Sequence, residues 1–152
     1  MPLLTTEHFP QEDKVGCLAA CSQSILHSLG IRKKQRQLNR LFRLTRFGVP
    51  FSRIARLEQF GVQVRIFEFG DDTDLIAAID QGIAPIVFLR TASLPYWQSD
   101  TQHAVVVVGY EASHFYLNDP AFRAAPQRVG VDPFMLAWDK MSYAYALITR
   151  HS

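Results

Sequence analysis

Several features that would assign this protein to a specialised class are scarce in its sequence or absent from it. The 152 residues include only two cysteines and 8 glycines, and the net charge is only +2. A disulfide-stapled scaffold and a fibrous repeat are therefore excluded. No apolar run is long enough to cross a bilayer, and residues 1–10 lack an export signal. We expect no membrane insertion, and so small a charge does not call for nucleic acid as a partner.

The sequence also lacks the residue patterns that are typical of metal and nucleotide sites. The five histidines are scattered, and the two cysteines have no second pair of ligands at zinc-site spacing. No glycine-rich phosphate loop is present. We expect no cofactor.

Length and composition favour one soluble globular domain that spans residues 1–152. Hydrophobic residues make up 48% of the chain and charged residues 20%, as in an ordinary domain with a buried core. Helical spacing predicts a helix from Cys17 to Leu29, a second over about Lys34–Leu44 and a third over about Phe51–Phe60. After Gly61, alternation predicts a strand whose buried face carries Val62, Val64 and Ile66. A short helix is expected at residues 71–79 and a turn or two of helix at residues 134–139, and further strands are expected at residues 83–89, 103–110, 115–117, 127–131 and 143–149. Helices first and an antiparallel sheet afterwards predict an α+β fold.

The two cysteines, Cys17 and Cys21, lie four residues apart on the predicted first helix. Their side chains share a face, but a disulfide between them would be poorly placed. Free thiols are typical of a reducing compartment, so we expect a cytoplasmic protein. Cys17 opens the helix, where unpaired N–H groups and the helix dipole favour a thiolate, and it is the candidate nucleophile. Cys21 is expected to be a small core residue.

A histidine and an aspartate are predicted to meet at the open end of a β-hairpin. Two apolar strands flank the short connection at residues 111–113, and pairing around it sets His103 nearly opposite Asp119. Opposed residues of an antiparallel pair lie roughly 5 Å apart on one face. A carboxylate beside an imidazole fixes its tautomer and stabilises the imidazolium, so His103 is the candidate general base and Asp119 its orienting acid.

Acyl transfer also needs donors for the developing oxyanion. Gln11 lies six residues before Cys17 in a polar loop, from which its amide could fold back over the start of the helix. It would then supply one donor while the backbone N–H of Cys17 supplies the other.

Together these residues resemble a known family. Gln11, Cys17 six residues later, the run His103–Tyr110 and the stretch Leu117–Pro120 are similar to the bacteriocin-processing endopeptidases, family 39 of the cysteine peptidases. The resemblance extends from Gln11 to about Leu147. It implies a papain-like fold, a thioester intermediate, the triad Cys17, His103 and Asp119, and Gln11 at the oxyanion. It also implies cleavage of a leader peptide after a Gly-Gly pair, in a cytosolic domain attached to an ABC exporter.

Two departures from the family pattern bear on substrate and context. The family usually has glycine directly after the cysteine, where this chain has Leu18, and the chain ends where an exporter would continue. An excised domain and a stand-alone relative both fit. Two further readings of the function stay open: a non-catalytic peptide-binding module of the same fold, and a deamidase, acyltransferase or toxin effector that uses the same triad.

Two other segments are candidates for contacts with a substrate or partner. Tyr96 and Trp97 lie in a polar loop shortly before His103 and could line a substrate cleft, although core burial of Trp97 fits equally well. The segment Ile31–Arg46 is rich in Lys and Arg, and Arg36, Arg40 and Arg43 share one helical face. A solvated face is the plain interpretation, and an electrostatic landing site for an acidic peptide or nucleic acid is the alternative.

Overall fold

A six-stranded antiparallel sheet with helices on both faces forms the protein, and the computed structural model describes residues 3–151. In chain order the helices are α1 (Cys17–Ser28), α2 (Gln35–Phe42), a 3-10 helix (Phe51–Phe60), α3 (Asp72–Asp80) and α4 (Val131–Asp139). The strands are β1 (Val62–Phe67), β2 (Ile86–Arg90), β3 (Gln102–Glu111), β4 (His114–Asn118), β5 (Gln127–Gly130) and β6 (Tyr145–Arg150). Their order in the sheet is β1-β6-β2-β3-β4-β5. The predicted α+β class is confirmed.

Local sequence signals account for the end of the 3-10 helix and the start of α3. Gly61 follows the 3-10 helix with a φ of 82°, a left-handed conformation that glycine adopts without strain. The start of α3 is held by its own acids, because the N–H of Asp71 donates to Asp74 Oδ2 at 2.9 Å. The predicted boundaries of the helices at 17, 51 and 60 agree with the structure.

The core has two halves, one on each face of the sheet. Residues of α1, α2 and the 3-10 helix pack with Ile86, Phe88, Ala104 and Val106 on one face. Helices α3 and α4 pack with Val87, Leu89, Val105 and Val107 on the other. Alternate residues of β2 and β3 thus enter opposite halves, which explains why these strands are apolar throughout rather than alternating.

Two of the strand predictions need correction. The expected strand at residues 83–89 begins only at Ile86, because Pro85 has no N–H to donate to the sheet. The expected buried face of β1 is only partly covered, since Val62 is buried whereas Ile66 is 42% exposed. The exposure follows from the position of β1 at the edge of the sheet.

Within residues 3–151, no helix combines the length and apolar character needed to cross a bilayer. Helix α1 packs against β3, which also forms the β3–β4 hairpin. The candidate site lies where the start of α1 meets this hairpin.

Candidate active site

Cys17 is the first residue of α1, and the tight loop before it explains how it is presented. The N–H of Gly16 donates to Asp13 O at 2.9 Å, and a Cβ at residue 16 would stand 3.2 Å from both Asp13 Cβ and Asp13 O. Any other residue at position 16 would therefore require the loop at Asp13 to shift slightly. No side chain caps the helix, so the N–H groups of its first turn stay available. Cys17 is partly exposed, while Leu18 is 2% exposed and leaves the approach to the thiol open.

His103 and Asp119 are brought into direct contact by the β3–β4 hairpin. Asp119 follows the last residue of β4, and the ladder ends with Val106 opposite Asn118. Residue 119 therefore stands diagonal to His103 rather than nearly opposite it as predicted, and the register shift between Val107 and Gly109 brings the two residues closer and onto the same face of the sheet. The side chains span the diagonal, with His103 Nε2 2.6 Å from Asp119 Oδ1. Both are buried.

The Asp119 carboxylate accepts four hydrogen bonds. Besides His103, Oδ1 accepts the N–H of Ala121 at 3.0 Å. Oδ2 accepts the hydroxyl of Tyr96 at 2.7 Å and the indole N–H of Trp97 at 2.8 Å. Burial alone would raise the pKa of Asp119, but the hydrogen bond and positive charge of His103 and the bond from Trp97 lower it below its ordinary value. The carboxylate therefore stays ionised.

The imidazole of His103 lies between this carboxylate and the Cys17 thiol. Burial disfavours its charged form, but the hydrogen bond to Asp119, the contact with Cys17 and the charges of both groups raise the pKa of His103 to about 9. Because Nε2 faces Asp119, Nδ1 is the nitrogen left for the thiol. The edge of Trp97 packs against the ring with centroids 4.9 Å apart, which holds the imidazole in this orientation.

Tyr96 and Trp97, which were predicted to contact the substrate, both donate hydrogen bonds to Asp119. Burial and the neighbouring carboxylate raise the pKa of Tyr96 well above its ordinary value, so the phenol keeps its proton and donates. Trp97 also lines the cleft that contains Cys17, whereas Tyr96 is not among the lining residues. A substrate contact remains a prediction for both. These hydrogen bonds to Asp119 were not predicted from the sequence, although half-buried Tyr and Trp side chains usually have an acceptor near their O–H and N–H groups.

Gln11 lies in the cleft beside Cys17, but its amide is engaged elsewhere. Both bonds that its Nε2 donates go to loop carbonyls, those of Asp13 at 3.1 Å and Lys14 at 2.9 Å. The side-chain oxygen is buried, with no partner within residues 3–151. Its predicted role as an oxyanion donor would require the side chain to release one of the two carbonyls.

Cys21 lies one turn further along α1 and faces the core. It is 1% exposed, and its thiol donates to Ala104 O at 3.4 Å. Burial raises the pKa of Cys21 well above its ordinary value, and the negative groups at Cys17 and Asp119 raise it further. The thiol is therefore inert, and its place in the core agrees with the sequence analysis.

An open cleft of about 880 Å³ leads from the surface to Cys17 and His103. Its walls come from the loop before α1, from residues 47–51 and from residues 97–103, and Ala121 and Phe122 also line it. In the described part of the chain, no cluster of three or more His, Cys, Asp or Glu residues could hold a metal ion. The chemistry that this arrangement supports is nucleophilic attack by a thiol paired with an oriented imidazole.

Comparisons with known proteins agree with this fold. The model of the Peptidase_C39 like family matches residues 3–146. The sequence has no match among curated proteins. A C39-like peptidase from Bacillus anthracis superimposes with a TM-score of 0.82, at 14% identity, over 99% of this chain and 98% of that chain.

Two further structures come from exporters. The peptidase domain of Streptococcus ComA, a bi-functional ABC transporter involved in a quorum sensing pathway, gives a TM-score of 0.79 at 19% identity, over 96% of this chain and 99% of that chain. A double glycine motif protease from an AMS/PCAT transporter, in complex with the leader peptide, gives 0.72 at 13% identity, over 99% of both chains. The papain-like fold predicted from the sequence is confirmed.

Proposed function

The chain belongs to the Peptidase_C39 like family, and from this premise we propose that it is a cysteine peptidase whose catalytic residues are Cys17, His103 and Asp119. The observation that carries the proposal is the meeting of three side chains from distant parts of the chain. A helix-opening thiol and a buried imidazole line one open cleft, and the imidazole lies 2.6 Å from an ionised carboxylate.

In the first step, the Cys17 sulfur attacks the carbonyl carbon of the scissile peptide bond. The thiol proton resides on His103, whose raised pKa, about 9, favours the imidazolium at neutral pH. As the tetrahedral intermediate collapses, the imidazolium gives this proton to the departing amine. The carbon–nitrogen bond breaks, and the acyl group remains on sulfur as a thioester.

In the second step, water hydrolyses the thioester. His103, now neutral, takes a proton from the water as its oxygen attacks the carbonyl carbon, and the carbon–sulfur bond breaks. The peptide acid departs, and the imidazolium beside Cys17 is restored. Asp119 stays ionised throughout and stabilises the charge on His103 in both steps.

The oxyanion of each tetrahedral intermediate lies at the start of α1. The backbone N–H of Cys17 is a suitable donor because no side chain caps this helix. Gln11 is the second donor. Substrate binding breaks the longer of the two hydrogen bonds that its amide donates, the one to Asp13 O, and so frees an N–H for the oxyanion. Loss of one such donor raises the barrier by about 3 kcal/mol in known cases.

The proposed substrate class rests on two structural relatives. A double glycine motif protease bound to its leader peptide and the peptidase domain of an ABC transporter share this fold. We therefore assign this chain a peptide with a Gly-Gly leader as substrate, in the cytoplasm, with an ABC exporter as partner.

Mass spectrometry of synthetic peptides tests the proposal. Peptides with and without a Gly-Gly pair are incubated with the wild type, with Cys17→Ala and with the matched control Cys21→Ala, which removes the other thiol. Cleavage after Gly-Gly is expected with the wild type and the control and not with Cys17→Ala. Intact Gly-Gly peptides with all three proteins would refute the peptidase assignment, and cleavage by Cys17→Ala would refute the nucleophile.

A further inference from the structure

Positive charge is concentrated in one segment of the chain. Nine of the 16 Lys and Arg residues lie between residues 32 and 56, and none of the 14 Asp and Glu residues does. The rest of the chain carries seven basic against 14 acidic residues, so the small net charge conceals a strongly basic region on an otherwise acidic protein.

Some of these basic side chains have structural partners. The guanidinium of Arg53 donates to Phe42 O at 2.9 Å and that of Arg56 to Leu41 O at 2.9 Å. Both satisfy carbonyls at the negative end of α2. The ammonium of Lys33 packs over the ring of Phe60, 4.4 Å from its centroid. These three residues are explained by the fold.

The other six are exposed and have no acidic partner among the described residues. Four of them lie on α2 and the turn after it, and we call these four the basic face: Arg36, Arg40, Arg43 and Arg46. None of the four forms a salt bridge within residues 3–151. All four are exposed. Arg36 and Arg40 lie four residues apart on α2 and repel one another, and only Arg40, in the last turn, gains from the helix dipole. Stability therefore does not explain the basic face.

The basic face borders the cleft. Asn39, on the adjacent stripe of α2, contacts the residue before the nucleophile, with its Nδ2 3.4 Å from the position of a Cβ at Gly16. At the other end, Arg46 packs over the ring of Phe47, 4.8 Å from its centroid, and Phe47 lines the cleft. A peptide that leaves the cleft past Phe47 meets Arg46 first.

We propose, resting on the proposed function, that the basic face binds an acidic segment of the peptide substrate next to the cleaved bond. Charge complementarity and continuity with the cleft select this occupant. A lipid surface fits less well, because Phe47 is the only large hydrophobic residue of the basic segment that is strongly exposed, and Arg46 covers its ring. Nucleic acid has no claim on the cleft that continues this surface, and its binding is an outcome of the test below.

Fluorescence anisotropy measures the binding without cleavage, in a Cys17→Ala background. The probes are labelled peptides with a run of glutamates on either side of a Gly-Gly pair, and matched peptides with glutamines. Arg36→Gln with Arg40→Gln should weaken binding of one glutamate peptide by about three- to tenfold. The control pair, Arg65→Gln with Lys140→Gln, removes the same charge from exposed positions elsewhere and should leave binding unchanged. High salt should abolish the difference.

Charge reversal keeps the test decisive if the neutral variants bind poorly for another reason. Arg36→Glu with Arg40→Glu should favour a lysine peptide over its glutamate counterpart. Equal binding of glutamate and glutamine peptides to the unreversed protein would overturn the proposal. So would equal losses in the control pair, or arginine-dependent binding of anionic vesicles or an oligonucleotide without binding of the acidic peptide.

The two proposals fail separately. Cleavage by the wild type that is indifferent to acidic residues would refute the basic face alone. Arginine-dependent binding of the acidic peptide without any cleavage would refute the peptidase alone.

Discussion

Asp119→Asn should reduce kcat/KM for peptide hydrolysis by about ten- to hundredfold. The change removes the negative charge that His103 contacts at 2.6 Å in a fully buried environment. A hydrogen bond to a charged group contributes about 1.5–3 kcal/mol, and each 1.4 kcal/mol of barrier corresponds to about a factor of ten in rate. Steady-state kinetics on a cleaved Gly-Gly peptide measures the loss.

The same variant should move the alkaline limb of the pH profile. The proposed mechanism needs the imidazolium, so wild-type activity should fall as the pH rises through about 9, the raised pKa of His103. Without the carboxylate, Cys17 is the group that still raises the pKa of His103. The limb should therefore shift toward the ordinary range of histidine, about 6.5.

Stability should change with pH for the same reason. A folded-state pKa above the unfolded value stabilises the fold fully below about pH 6.5, and the stabilisation is lost as the pH rises through about 9. In Asp119→Asn this dependence should weaken. The amide also places an NH2 group against two of the four donors around residue 119, at a cost of about 1–3 kcal/mol for each unsatisfied group. Urea unfolding across this pH range measures both effects.

Asp132→Asn is the matched control, because it removes one carboxylate charge at an exposed position in the first turn of α4. Its kinetics and its alkaline limb should equal those of the wild type. An unchanged alkaline limb in Asp119→Asn, with the variant folded, would refute the role assigned to the contact between His103 and Asp119.

The remaining predictions concern the thiols and the supporting residues. Iodoacetamide at neutral pH should label Cys17 far faster than the buried Cys21, and equal slow labelling of both would favour a non-catalytic binding module. Tyr96→Phe removes one of the four donors to Asp119, which leaves more negative charge facing His103, so its alkaline limb should shift slightly to higher pH, opposite to the shift expected for Asp119→Asn, and an unshifted limb would make Tyr96 a packing residue only. Gln11→Ala should lower kcat by on the order of a hundredfold with little change in KM; wild-type kcat would show that its amide never leaves the loop carbonyls.

Local patterns predicted the parts of the fold that depend on neighbouring residues. The start of α1 at Cys17 and the end of the 3-10 helix at Gly61 follow from helical spacing and glycine conformation. The proximity of His103 and Asp119 followed from a hairpin with a short connection. Each of these inferences needed only one or two adjacent elements.

Features that depend on distant contacts could not be predicted in the same way. The sequence has no signal for the insertion of β6 between β1 and β2, because strand order is set by the packing of helices on both faces. The loop that carries Tyr96 and Trp97 has no periodicity, so the aim of their polar atoms at Asp119 emerges only from the folded chain. The amide of Gln11 is fixed by carbonyls whose positions depend on the tight loop at Gly16.

The acyl-enzyme itself tests the central claim most directly. An ester of a peptide that ends in Gly-Gly is mixed with the protein, the reaction is quenched in acid, and the digested protein is analysed by mass spectrometry. The account predicts the peptide acyl group on the fragment that contains Cys17, as a thioester on that residue, and no such adduct in Cys17→Ala. An unmodified wild-type protein that has nonetheless hydrolysed the ester, or an acyl group on Cys21, would contradict it.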